Sequence, residues 1–185
     1  MMQLDNDSLS EVIGDIYECA MDRAQWVPML ERLAGLFNAC NGLVFSHGQR
    51  GVQFGYGWGA PEESIQAYAE RYAVIDPMRT LDWHFDVDDP ITLKRFMDPD
   101  EFQRTKFYQD YLEPLNWFDF IAIIVERSAT QTSTVGFTRH RDEGFFGDWE
   151  TALMESSWPM TRLWRSSSMC RSFCVSSSVS LYTGM

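Results

Sequence analysis

The order of hydrophobic patterns predicts an α+β fold in which helices pack on a central antiparallel sheet. Strand-like runs are joined by short hairpin connections, and no strand–helix–strand unit repeats along the chain. The 185 residues are 45% hydrophobic and 15% aromatic, enough for one sizeable core.

Ser8-Leu9-Ser10-Glu11 has the form of a capping box, and Val12, Ile13, Ile16, Tyr17 and Ala20 follow at helical spacing. A first helix is expected over about 9–21. Asp22 to Gln25 resembles a second such start. Trp26, Met29, Leu30, Leu33, Leu36 and Phe37 then share one face to about Cys40, with Pro28 tolerable near the first turn. Leu43–Phe45 and Val52–Tyr56 are β-rich runs around His47-Gly-Gln-Arg-Gly51, a hairpin. Pro61-Glu62-Glu63 opens a third helix, expected to run to Asp76-Pro77. After a variable loop, Asp98-Pro99-Asp100-Glu101 starts another helix, closed by Pro114. The continuous apolar run Phe118–Val125 reads as a central strand and pairs with Thr134–Thr138, and a last helix begins near Gly147-Asp148.

Charge narrows the function classes. There are 27 acidic and 15 basic residues, a net charge of -12, which repels polyphosphate and gives no overall basic face for nucleic acid or anionic lipid. No run of 18 apolar residues occurs, and the first residues lack the pattern of a signal peptide, so no membrane partner is expected and a cytoplasmic location is. Cys19, Cys40, Cys170 and Cys174 form no disulfide framework. The first two fall at apolar positions of predicted helices, as small hydrophobes. Every Asp and Glu lies at or before Glu155, and the remaining residues turn Ser-rich with no helical period. Residues 1–155 are therefore read as one domain. For 156–185 two readings stay open, a segment translated in a shifted frame or a flexible tail.

Catalytic patterns are sparse. Gly55-Tyr-Gly57-Trp-Gly-Ala60 fits a dinucleotide fingerprint in letters only, because no βαβ order surrounds it; a glycine-rich strand edge near a pocket is the better account. Asp82 to Asp89 sets His84 among carboxylates without the spacing of a calcium loop, and reads as a solvated acidic loop. His140-Arg141-Asp142 echoes a kinase tripeptide but lacks its companions. No enzyme, cofactor or metal site is expected.

From Ile16 to roughly Glu150 the chain resembles the N-terminal sensory domain of LuxR-type helix-turn-helix transcriptional regulators. The resemblance runs through Ile16-Tyr17, Trp26-Val-Pro-Met-Leu30, Tyr68 to Tyr72 with Asp76-Pro77, Phe107-Tyr108-Gln-Asp-Tyr-Leu-Glu-Pro114, Gly136-Phe-Thr-Arg-His-Arg141 and Gly144-Phe-Phe-Gly147-Asp148. It implies an α-β-α sandwich of the GAF and PAS kind, a small-molecule ligand between the sheet and the third-helix side, and a homodimer. In members that sense acyl-homoserine lactones, the Asp of the Asp-Pro motif accepts a hydrogen bond from the ligand amide, and Asp76 matches it. The Trp and Tyr that such sensors place before that Asp correspond here to Glu63 and Ala67. The family's DNA-reading module has no counterpart in residues 156–185, so this chain is expected to act as a sensor half that does not itself bind nucleic acid.

Asp76 has two readings, ligand acceptor or local backbone cap. Tyr68, Tyr72, Phe107, Tyr108 and Trp117 are candidates for the pocket wall, or else ordinary core at helical spacing. The functional expectation is a non-catalytic sensor domain, possessing a lactone-like or other small ligand. The alternatives are a stand-alone module that forms mixed dimers with a full-length regulator and, third, a small enzyme on the same fold.

Overall fold

The computed structural model describes residues 6–48 and 51–157. Helices α1 (Asn6–Met21) and α2 (Trp26–Leu36) precede the hairpin β1 (Asn41–Gly48) and β2 (Gly51–Trp58). Then come α3 (Glu62–Ala67), the short strand β3 (Pro90–Thr92), α4 (Leu93–Phe96) and α5 (Pro99–Gln103). Strands β4 (Trp117–Arg127) and β5 (Gln131–His140) and helix α6 (Asp148–Ser157) follow.

The five strands form one antiparallel sheet in the order β2-β1-β5-β4-β3. Strand β4 is buried continuously from Trp117 to Val125, so neither sheet face can meet water there. On one face, α1, α2 and α6 cover Val44, Ile121, Ile123, Val135 and Phe137 with Val12, Ile16, Trp26, Leu30, Leu33 and Met154. On the other, α3 to α5 and the turns around them bring Ile65, Leu93, Phe102, Phe107, Tyr111 and Leu112 onto Ile91, Phe120, Ala122 and Ile124. The result is the expected α-β-α sandwich. Alternation along each strand sends i, i+2 and i+4 to one face, which is why the two apolar sets separate cleanly.

Several local expectations change. Helix α1 starts at Asn6, so the Ser8 box lies inside it. The Asp22 carboxylate does accept the Ala24 N–H at 3.0 Å, but it opens a single 3₁₀ turn ahead of α2. Cys40 lies beyond α2, half-buried, just before β1. The third helix is α-helical only to Ala67, continues as a π-turn over Tyr68–Tyr72 and ends before Asp76. Asp98 caps α5 through the Asp100 and Glu101 N–H groups at 2.9 and 3.1 Å, yet α5 stops at Gln103 and a second π-turn spans Tyr108–Leu112. The variable loop contains β3, unforeseen because three residues are too few to show a period. The Ser-rich segment falls almost wholly on residues 158–185, outside those described. No helix among the described residues is long and apolar enough to cross a membrane.

A buried polar cluster joins the sheet to α6. Arg139 is 4% exposed, pairs with Glu150 at 2.8 Å, and donates to the carbonyls of Phe37 and, at 3.1 Å, Phe145. Its guanidinium lies 4.0 Å from the Phe146 ring centre. The cross-strand neighbour Asp119 accepts the Phe146 N–H at 2.6 Å. Burial raises the Glu150 carboxyl, but the Arg139 bond and the Gly147 N–H outweigh it, so the group is held below its ordinary value. Removing the cation would strand these carboxylates in the interior. Arg139→Met is therefore expected to lower unfolding free energy by about 3 kcal/mol in urea titrations, and a loss under a third of that would show that the cluster is not a structural tie.

Candidate functional site

Between the sheet and the α3–α5 layer lies a largely apolar cavity of about 110 Å³. Its floor is set by strand register. The row Gly57–Leu43–Gly136–Ala122–Ile91 crosses all five strands on this face. The two smallest side chains of its centre, Gly136 and Ala122, are adjacent and both line the cavity. A void opens above them because neither reaches beyond Cβ. Leu43, Phe45 and His47 from β1 and Thr134 and Thr138 from β5 complete the floor at alternating positions.

The opposite wall comes from the two π-turns and their flanks: Ile65 and Tyr68 on one, Phe107, Tyr111 and Leu112 on the other. Each π-turn is closed by a long backbone bond, Ala73 N–H to Tyr68 C=O at 2.8 Å in the first, a geometry that recurs at functional sites. Tyr68 meets Phe107 edge-on at 6.1 Å, Tyr111 lies 5.5 Å from Phe107, and Trp117 stands perpendicular to Tyr111 at 6.0 Å.

Asp76, Met78 and Arg79 form one side. Asp76 is 8% exposed. Its Oδ2 accepts the Tyr68 hydroxyl at 2.6 Å, and its Oδ1 accepts the Met78 N–H at 2.8 Å, capping the turn that begins at Pro77. The cap and the cavity position therefore coexist in one side chain. Burial pushes the Asp76 carboxyl up to about 6, against the lowering effects of Tyr68, the Met78 N–H, Arg79 and His47. Burial, then the nearby Asp76 charge, drives the Tyr68 hydroxyl well above its ordinary value, so Tyr68 remains the donor. Each Asp76 oxygen keeps a lone-pair direction for a further donor.

Of the residues singled out from sequence, Tyr68, Asp76, Phe107 and Trp117 line the cavity. Tyr72 and Tyr108 do not: Tyr72 stacks behind Tyr111 at 4.9 Å, and Tyr108 packs on Phe102 and accepts from Arg141. Glu63 is exposed, and neither it nor Ala67 belongs to the wall. The glycine-rich stretch lies on the edge strand β2, and none of its residues reaches the cavity. Sequence reading overlooked Tyr111, Arg79, His47 and the small floor pair. Alternation along β1 and β5 carried a signal for the floor, but only pairing between distant strands places Gly136 beside Ala122. In the acidic loop Asp89 is tied to Arg95 by bonds of 2.9 and 3.1 Å, and no cluster of metal-ligating side chains occurs among the described residues.

No protein-family model matches the sequence, and no curated protein matches it. Solved structures do match. The VqsR LBD domain from Pseudomonas aeruginosa is 16% identical, with 80% of this chain and 94% of that one covered and a TM-score of 0.59. The N-acylhomoserine lactone dependent LuxR family transcription factor CepR2 from Burkholderia cenocepacia is 14% identical, covering 85% and 99%, with a TM-score of 0.57. A GAF domain from an Acinetobacter phosphoenolpyruvate-protein phosphotransferase is 10% identical, covering 94% and 98%, with a TM-score of 0.58. Likeness at these identities establishes the fold, an α+β sandwich of the GAF kind.

The electrostatics of Asp76 give a signed expectation. Its carboxyl titrates near 6 when folded against an ordinary 3.8, so the folded state holds the extra proton between those values. The stability contributed by Asp76 is then greatest below 3.8 and is lost as pH rises through 6. Asp76→Asn removes that loss. The variant's unfolding free energy relative to the parent is expected to rise from about pH 4 to about pH 7, by up to about 3 kcal/mol; a difference that stays flat with pH would contradict a buried, raised carboxyl.

Proposed function

We propose that this chain is the small-molecule-sensing domain of a LuxR-type transcriptional regulator, working by binding and not by catalysis. The observation that carries the reading is Asp76. It is a buried carboxylate at the edge of an apolar cavity, fixed in orientation by Tyr68 and the Met78 N–H, with acceptor capacity left over. Such a group recognises a donor on a ligand strongly and directionally. The fold shared with VqsR and CepR2 supports the same reading.

In this account binding free energy is the whole mechanism. A ligand that fills the cavity joins the β1–β5–β4 floor to the two π-turns, and it biases a homodimer only by its differential affinity for one arrangement. The wall that moves is the irregular one, because the sheet is locked by antiparallel pairing on both sides of β5.

Native mass spectrometry of the full chain purified from its source cells tests this directly. A dimer carrying a stoichiometric small-molecule adduct is the expected result. Asp76→Asn, whose NH2 must replace one of the two acceptor oxygens and face either the Tyr68 hydroxyl or the Met78 N–H, is expected to weaken retention of that adduct at least tenfold. A monomer with no adduct, or an adduct indifferent to Asp76→Asn, would overturn the reading.

A further inference from the structure

We infer that the cavity takes a compact, flat ring bearing a neutral N–H donor, laid over Gly136 with the donor directed at Asp76, and not a ligand with a long acyl chain. This rests on the sensor reading and names the ligand class for the same site. Three observations lead to it. The first is size: about 110 Å³ is on the scale of the roughly 150 Å³ cavity that takes up a single benzene ring, and below the range of about 300–1,000 Å³ for larger ligands. One small ring fills the enclosed space, and a long chain would be only partly enclosed by it.

The second is the shape of the floor. A Cβ added at Gly136 would stand 3.5 Å from the Ala122 Cβ and 3.9 Å from the Phe45 ring, ordinary contact distances, so the glycine is not demanded by crowding. Its φ is not in the left-handed region either. What its hydrogen does provide is a bare patch of sheet backbone, on which a planar group can lie flat. Phe107, Tyr111 and Trp117 face that patch with mutually tilted or perpendicular rings, which offers a flat guest both edge and face contacts.

The third is charge. Asp76 is the carboxylate of the wall, and Arg79 and His47, which also line the cavity, lower its raised carboxyl. A ligand ammonium would meet those groups as well as the carboxylate. A neutral N–H needs only one of the lone-pair directions left on Asp76.

Three probes of equal heavy-atom count separate these features: aniline, toluene and fluorobenzene, titrated into the full chain and followed by amide NMR shifts, with N-dodecanoyl-homoserine lactone as the long-chain comparison. Aniline is expected to bind at least tenfold more tightly than the two probes without an N–H. Asp76→Asn is expected to erase that margin. Gly136→Val is expected to block all three probes, and the smaller Gly136→Ala, which fits without a clash, to weaken aniline severalfold with an unchanged melting temperature. Toluene binding as tightly as aniline, an aniline affinity indifferent to both Gly136 variants, or no ring binding at all would overturn the inference. So would tighter binding of the dodecanoyl lactone, an outcome that leaves the sensor reading standing and removes only the ring class.

Discussion

Burial of β4 on both faces is the constraint from which the rest of the structure follows. A strand whose residues Trp117 to Val125 are all shielded must lie inside a sheet and beneath two covering layers. Pairing with β5 and β3 satisfies its backbone, and Ile121 and Ile123 on one side and Phe120 and Ala122 on the other call for separate apolar partners. The long helices α1 and α2 provide the first layer as regular amphipathic surfaces. The second is built from short helices, π-turns and aromatic side chains that fit less regularly, and the cavity lies on that side.

Two buried aspartates show how differently the layers treat charge. Burial raises both Asp76 and Asp119 to about 6. Asp119 sits in the regular layer beside Arg139, which is itself clamped by Glu150 and two backbone carbonyls, so its surroundings are committed to holding α6 on the sheet. Asp76 sits in the irregular layer, bonded by a hydroxyl and one N–H, with Arg79 and His47 on the same cavity wall. A carboxylate that contributes to the cap of a single turn while carrying a burial cost has a rationale if it also recognises something.

The aromatic wall links this local chemistry to the packing of the second layer. Tyr68 and Tyr111 belong to the two π-turns and Phe107 stands at the N-cap of the second, a local geometry that recurs at functional sites. Their mutual contacts hold the wall together, and a guest ring would extend the same stack down to the sheet. Filling the cavity would thereby couple two segments, 62–76 and 99–115, that otherwise meet through side chains such as the Tyr111 hydroxyl on the Ser64 carbonyl.

The sequence by itself determined the α+β class, the β1–β2 and β4–β5 hairpins, and the helix start at Asp98, because these rest on local alternation, turn chemistry and capping. It also marked Asp76, Tyr68, Phe107 and Trp117 among the candidates, through a family resemblance and aromatic spacing. Tertiary structure alone decided that Tyr111 and not Tyr72 or Tyr108 faces the cavity, that β3 completes the sheet, and that Gly136 meets Ala122 beneath a void. Helical spacing says which residues share a face but not what stands opposite. A cavity is a property of register between strands far apart in the chain, and no local pattern encodes the space left where two small side chains happen to be neighbours.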